Sequence, residues 1–188
     1  MNSQCVVGID VGGQTTKIGV VDSMGTVLAQ TVIRTDTYTD INPYIAELAE
    51  AVNKVIKEAD KEGKIRGIGV GAPNGNYYTG TIENAPNLLW ARQRVEFSKL
   101  LSEAMGGLPV ALTNDANAAA VGEMTYGAAR GMKNFIMITL GTGVGSGIVI
   151  NGEVVYGHDG FAGELGHTAA VHNNGRTCGC GKTGCLET

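Results

Sequence analysis

Basic residues are few and unclustered: 14 Lys and Arg stand against 18 Asp and Glu in 188 residues, for a net charge of −4. A chain without a Lys/Arg run lacks the electrostatic footprint of a nucleic-acid-binding surface. Long apolar runs are missing too. No stretch approaches the eighteen or so apolar residues that span a bilayer, and MNSQ leads into CVVGID without a secretory leader. These absences predict a soluble, cytoplasmic protein that binds neither nucleic acid nor membrane. Cysteine is sparse, four residues in all. A chain of this length buries a core without covalent staples, so it does not depend on a disulfide framework. Only glycine is plentiful, 29 residues spread over turns without a repeat, which excludes fibrous and low-complexity classes.

The chain opens as strand, glycine turn, strand (CVVGIDV, GGQT, TKIGVVD), and a turn at Ser23–Gly25 leads into TVLAQTVIRT. Three β-rich runs joined by tight turns predict an antiparallel meander. A helix follows, with Asn42 as N-cap, Pro43 at the first helical position and Gly63 as the stop. Ile45, Leu48, Ala49, Val52, Val55, Ile56 and Ala59 share its apolar face. IRGIGVGAP reads as a buried strand, Pro73 to Asn87 as a loop, and Glu96 to Met105 as a helix. PVALTND is another strand, and DANAAAVGEMTYGAAR a helix closing near Gly131. NFIMITL, LGTGVGSG, GIVI, a turn at Asn151–Gly152 and EVVYG then repeat the opening pattern. Self-similarity that occurs twice predicts a duplicated domain. The second copy breaks off without its matching helices, which leaves an apolar sheet face uncovered and predicts an incomplete chain.

Three of the four cysteines crowd into CGCGKTGCLET, and His167 precedes them. One imidazole with the thiolates of Cys178, Cys180 and Cys185 is a standard structural zinc set, and glycines 179, 181 and 184 let the backbone wrap an ion. A disulfide within the trio is the alternative. Cys5, in an apolar run, reads as a buried hydrophobe. The turns DVGGQT and LGTGVG precede β-branched hairpins rather than helices, which argues against a dinucleotide fold. Each is either an ordinary hairpin or a nest of backbone N–H groups for phosphate, and two equivalent turns favour phosphate. Thr142 would add a hydroxyl, and Asp10 is either a turn residue or a water-mediated Mg²⁺ partner. Asp115, at a strand-to-helix junction, is either a helix cap or a general base, with Asn114 and Asn117 bonding neighbouring hydroxyls. In GELGH, Glu164 and His167 share a face if helical. A metal-held His167 could bind a sugar hydroxyl through its other ring nitrogen, with Glu187 placed by the same loop.

The combination of DVGG, TNDANAAA, LGTGVGSG, GELGH and CGCGKTGCLE resembles the ROK family of sugar kinases and sugar-responsive repressors, from Asp10 to Thr188. The resemblance implies an α/β, duplicated actin-like and ribonuclease-H-like fold, with domains at 1–115 and 116–188 and a zinc loop at 167–187. It implies an ATP- and Mg²⁺-dependent hexose kinase, glucose first among substrates, with Asp115 as general base. Asn87, Asn114, Glu164, His167 and Glu187 would bind sugar, and Asp10, Gly12, Gly13, Thr142 and Gly143 would lie near the ATP phosphates and magnesium. Zinc would sit on His167, Cys178, Cys180 and Cys185, and the protein would be a homodimer. Family members run on past the cysteine loop, so the resemblance also implies a truncated second domain. The alternatives are a sugar-binding sensor or repressor-like protein, or a kinase for an N-acetylhexosamine or fructose. The first strand begins at residue 5 with no helix-turn-helix ahead of it, which argues against the repressor.

Overall fold

Alternation of buried and exposed residues organises the first sheet of the computed structural model, which describes residues 4–141 and 143–188. Strands β1 (Cys5–Val11), β2 (Thr15–Asp22) and β3 (Val27–Arg34) form the antiparallel meander. Helix α1 (Ile41–Glu58) carries the chain back to β4 (Ile65–Ala72), which pairs parallel with β1, and α2 (Phe97–Ala104) leads to β7 (Val110–Asn114), parallel to β4. The sheet order is β3-β2-β1-β4-β7. A small hairpin of β5 (Gly75–Asn76) and β6 (Thr81–Ile82) stands inside the segment read as loop.

One face of this sheet makes the core. Val7, Ile9 and Val11 of β1, Ile18 and Val20 of β2, and Ile68 and Val70 of β4 pack with Tyr44, Leu48, Val52 and Val55 of α1 and Phe97 and Leu101 of α2. Each such aliphatic side chain contributes roughly 1.5–3 kcal/mol through removal from water. The other face stays open, with Val6 and Val32 exposed. In β4 the buried Ile68 and the exposed Gly69 alternate, and the strand becomes buried at every position from Val70 to Ala72.

Two boundaries differ from the sequence reading. The N-cap of α1 is Asp40, whose carboxylate accepts the Asn42 N–H at 2.7 Å, so Pro43 falls inside the first turn. The helix ends at Glu58, with Lys57 in its last turn, and Gly63 serves a later turn at φ 70°. Helix α3 (Asp115–Tyr126) stops short of Gly131, because the Glu123 carboxylate turns back to accept the Ala128 N–H at 2.7 Å.

The chain divides into two compact units, Met1–Asp115 and Ala116–Thr188. In the second, β8 (Phe135–Leu140), β9 (Val144–Ile150) and β10 (Glu153–Val154) form an antiparallel sheet of order β10-β9-β8. Asn151 and Gly152 turn the β9–β10 hairpin at φ 55° and 83°, the pair of positive values that a two-residue hairpin requires. Small residues let α3 approach β9: a Cβ on Gly147 would stand 2.7 Å from the Cβ of Ala120, and one on Gly145 3.1 Å from that of Ala116. Among the described residues, no helix is long and apolar enough to cross a membrane.

Candidate functional site

The cysteine segment folds back on itself. Cys178 donates its N–H to the Lys182 carbonyl at 2.8 Å, Thr177 pairs with Thr183, and Ala169 pairs with Cys185. Gly181 and Gly184 take φ of 88° and 79°, and a Cβ on Gly184 would collide with the Val171 carbonyl. Only glycine fits there. The fold brings His167, Cys178, Cys180 and Cys185 together, with their ligand atoms all within 4.8 Å of one another.

The spacing fits a tetrahedral ion. Metal–sulfur bonds of about 2.3 Å and metal–nitrogen bonds of about 2.0–2.1 Å give sulfur–sulfur edges near 3.8 Å and sulfur–nitrogen edges near 3.5 Å. Cys180 Sγ lies 3.7 Å from Cys185 Sγ, and Cys178 Sγ lies 3.5 Å from His167 Nδ1. Two edges already have tetrahedral length. The cysteines are free thiols in contact rather than a bonded pair. Their proton affinities diverge, as crowded anionic sites must. The Lys182 backbone N–H holds Cys180 below the usual thiol range, whereas burial pushes Cys185 up. The Cys180 N–H pulls Cys178 down, but the Glu187 carboxylate, burial and the two neighbouring sulfurs together push it to about 12.

Glu187 ties this loop to the glycine turn between β8 and β9. Its Oε1 accepts from Cys178 Sγ at 3.0 Å and lies 3.5 Å from His167 Nδ1, while its Oε2 accepts the Val144 N–H at 3.4 Å. Hydrogen bonding from Cys178 holds its carboxyl below the ordinary range. A Cβ on Gly143 would stand 2.6 Å from Glu187 Oε2, so that glycine is required by the carboxylate beside it. Thr142 lies outside the described residues. Leu165 to His167 form a 3₁₀ turn, whose three-residue period aligns Glu164, its cap residue, with His167. Glu164 is exposed and His167 half-buried. Sequence reasoning missed Ser146, which is buried in β9, donates its hydroxyl to the Gly163 carbonyl and accepts the Leu165 N–H at 3.2 Å. A lone polar residue in a glycine-rich strand was the available signal.

In the first unit, Gly12 and Gly13 form the β1–β2 turn, closed by the Gly12 N–H on the Thr15 carbonyl at 3.0 Å. Gly13 lies against Asn87: a Cβ there would stand 3.1 Å from the Asn87 carbonyl oxygen. Asp10 forms an exposed cross-strand pair with Lys17 at 3.7 Å. Register places Asp10, Gly71 and Thr113 in one row across β1, β4 and β7. Asp10 and the Asn114–Asp115 junction therefore share one edge of the sheet, the carboxyl ends of its parallel strands. In open α/β sheets, ligands bind outside that edge. Asn114 is half-buried at the end of β7, and Asp115 opens α3 with its side chain exposed. Asn117 is corrected: it is 3% exposed, turned into the packing of α3 on β9, where it has no reach to an external hydroxyl.

Sequence comparison matches residues 6–188 to the family described as the ROK family. The chain is 42% identical to a glucokinase of Halalkalibacterium halodurans, covering 100% of this chain and 57% of that protein. It is 34% identical to the xylose repressor of Caldicellulosiruptor bescii over 97% of this chain and 45% of the repressor. Its fold superposes on a ROK family glucokinase from Streptomyces griseus, solved with glucose and AMPPNP, with a TM-score of 0.81 at 35% identity, covering 97% of this chain and 56% of that one. The chain thus spans about half the length of the relatives it matches.

Proposed function

The chain belongs to the ROK family, with the actin-like ATPase fold of its glucokinases, and we propose that it serves ATP-dependent phosphorylation of a hexose hydroxyl, glucose to glucose 6-phosphate. The observation that carries this reading is the shared sheet edge, with Asp10 and the exposed Asp115 at the carboxyl ends of β1 and β7, the two parallel strands that flank β4. Asp115 accepts the proton of the attacking sugar hydroxyl as its oxygen bonds to the γ-phosphorus and the bond to the bridging β–γ oxygen breaks. Asn114 and Asn87 bind neighbouring hydroxyls in the first unit. Glu164, His167 and Glu187 are the sugar ligands of the second. In the first turn the Gly12 N–H is held by the Thr15 carbonyl, and the bare backbone of Gly13 is where phosphate oxygens would approach; Thr142 and Gly143 are the phosphate-side residues of the second turn.

Two metals fit the residues present. Magnesium, held through water near Asp10, would neutralise phosphate charge. Zinc on His167, Cys178, Cys180 and Cys185 would be structural. His167 presents Nδ1 to the thiols, which leaves Nε2 at the far side of the ring for a sugar hydroxyl.

ADP release over a panel of hexoses and N-acetylhexosamines tests the reading. Asp115→Asn should lower turnover by roughly 10²–10⁴-fold, the usual worth of a positioned general base, with sugar affinity nearly unchanged. Equal turnover in the variant would remove Asp115 from the chemistry. The likeness to a xylose repressor supports a second reading, a sugar-binding sensor. Sugar binding without turnover of any sugar would select it.

A further inference from the structure

Tyr44 touches both arms of the first unit from behind. It is fully buried in α1. Its hydroxyl lies 2.7 Å from Thr16 Oγ1, which in turn lies 2.8 Å from Thr35 Oγ1. The Thr35 N–H donates to the Gln14 carbonyl at 2.9 Å, and Gln14 belongs to the glycine turn itself. The same ring stacks on Trp90 at 4.7 Å between centroids and 21° between planes. Trp90 sits three residues after Asn87, in a loop closed by the Ala85 N–H on the Ala91 carbonyl at 2.9 Å. Turn and loop meet where Gly13 lies against Asn87.

Stability alone does not call for this arrangement. Thr16 and Thr35 are 0% and 1% exposed, and three buried hydroxyls could be replaced by apolar groups of like shape at little cost. What the hydroxyls add is direction. They fix the turn relative to α1, while the ring fixes the loop relative to the same helix. We infer that Tyr44 is a positioning residue that sets the spacing between the phosphate turn at Gly12–Gly13 and the sugar loop at Asn87, its hydroxyl holding the first and its ring the second. The inference rests on the kinase reading for what the two arms bind, but not for the coupling itself.

Tyr44→Phe keeps the ring and removes the hydroxyl. Amide exchange at Gly12 and Thr35 should speed up about three- to tenfold, with α1 amides from Val52 to Ile56 unchanged, as loss of one buried hydrogen bond implies. In turnover, KM for Mg-ATP should rise by a similar factor while kcat and the sugar KM stay within about twofold. Tyr44→Leu also removes the stack, so sugar affinity should fall too. Trp90 is the only tryptophan, and its fluorescence during a glucose titration reads that loss directly. Uniform acceleration of exchange across the first unit, or equal rises of both KM values in Tyr44→Phe, would overturn the inference and leave Tyr44 a core residue. If the wild-type protein turns over no sugar, the kinase reading fails and the exchange pattern still decides the coupling.

Discussion

Three thiols packed into one short loop cannot all lose their protons until a cation arrives to hold them. Cys178, pushed to about 12, and Cys185, raised by burial, both carry protons at neutral pH, while Cys180 is pulled the other way. A metal ion takes thiolates, so its binding must expel those protons. Zinc added to metal-free protein at pH 7 should therefore release at least two protons, one each from Cys178 and Cys185. Protons compete with the ion, so affinity should rise with pH and weaken as pH falls. Calorimetry in two buffers of different ionisation enthalpy measures the release directly, and a count near zero would mean that these thiols are not the ligands. The sequence made this site legible because ligand chemistry needs particular residue types. Nothing comparable announced Tyr44. It lies on the apolar stripe of α1, one helical step from Leu48, where a hydroxyl has no signature until Thr16 and Thr35 are seen against it.

Helix α1 shows how local signals compete within an element. Asp40 and Asn42 are both good N-caps, and Pro43 pointed to a start at Asn42 because proline favours the first helical position. Proline is in fact tolerated anywhere in the first turn, where N–H groups have no intrahelical acceptor. The carboxylate of Asp40, reaching the Asn42 N–H at 2.7 Å, decided the matter. Asp40→Ala should therefore destabilise the protein by about 1 kcal/mol, whereas Asn42→Ala should stay within about 0.5 kcal/mol. Urea midpoints of the two variants, at unchanged slope, measure the difference. The reverse order would restore Asn42 as the cap. Strand existence was the easier inference: short β-rich apolar runs bounded by glycine turns, such as CVVGIDV and NFIMITL, are written in residue type. Helix ends depend on single side chains such as Glu123, and those are not.

Strand β8 alternates in burial, with a consequence for the whole polypeptide. It lies at the edge of the β10-β9-β8 sheet, and its alternate residues Ile136, Ile138 and Leu140 are 57%, 55% and 82% exposed. Their opposite face is the one α3 closes through Gly145 and Gly147. An aliphatic stripe on an edge strand is a surface that water disfavours, and unpaired N–H and C=O groups beside it invite strand addition. The 188-residue polypeptide should therefore bind an apolar dye such as anilinonaphthalene sulfonate and associate at micromolar concentration. Ile136→Lys with Ile138→Lys should suppress both without altering the zinc-dependent proton release, since neither side chain belongs to the cysteine loop. A protein built to the length of the relatives should bind little dye in its wild-type form if the additional chain packs on this face. Equal dye binding by the short and long proteins would mean that the stripe stays open in both, and would leave a partner chain as its cover.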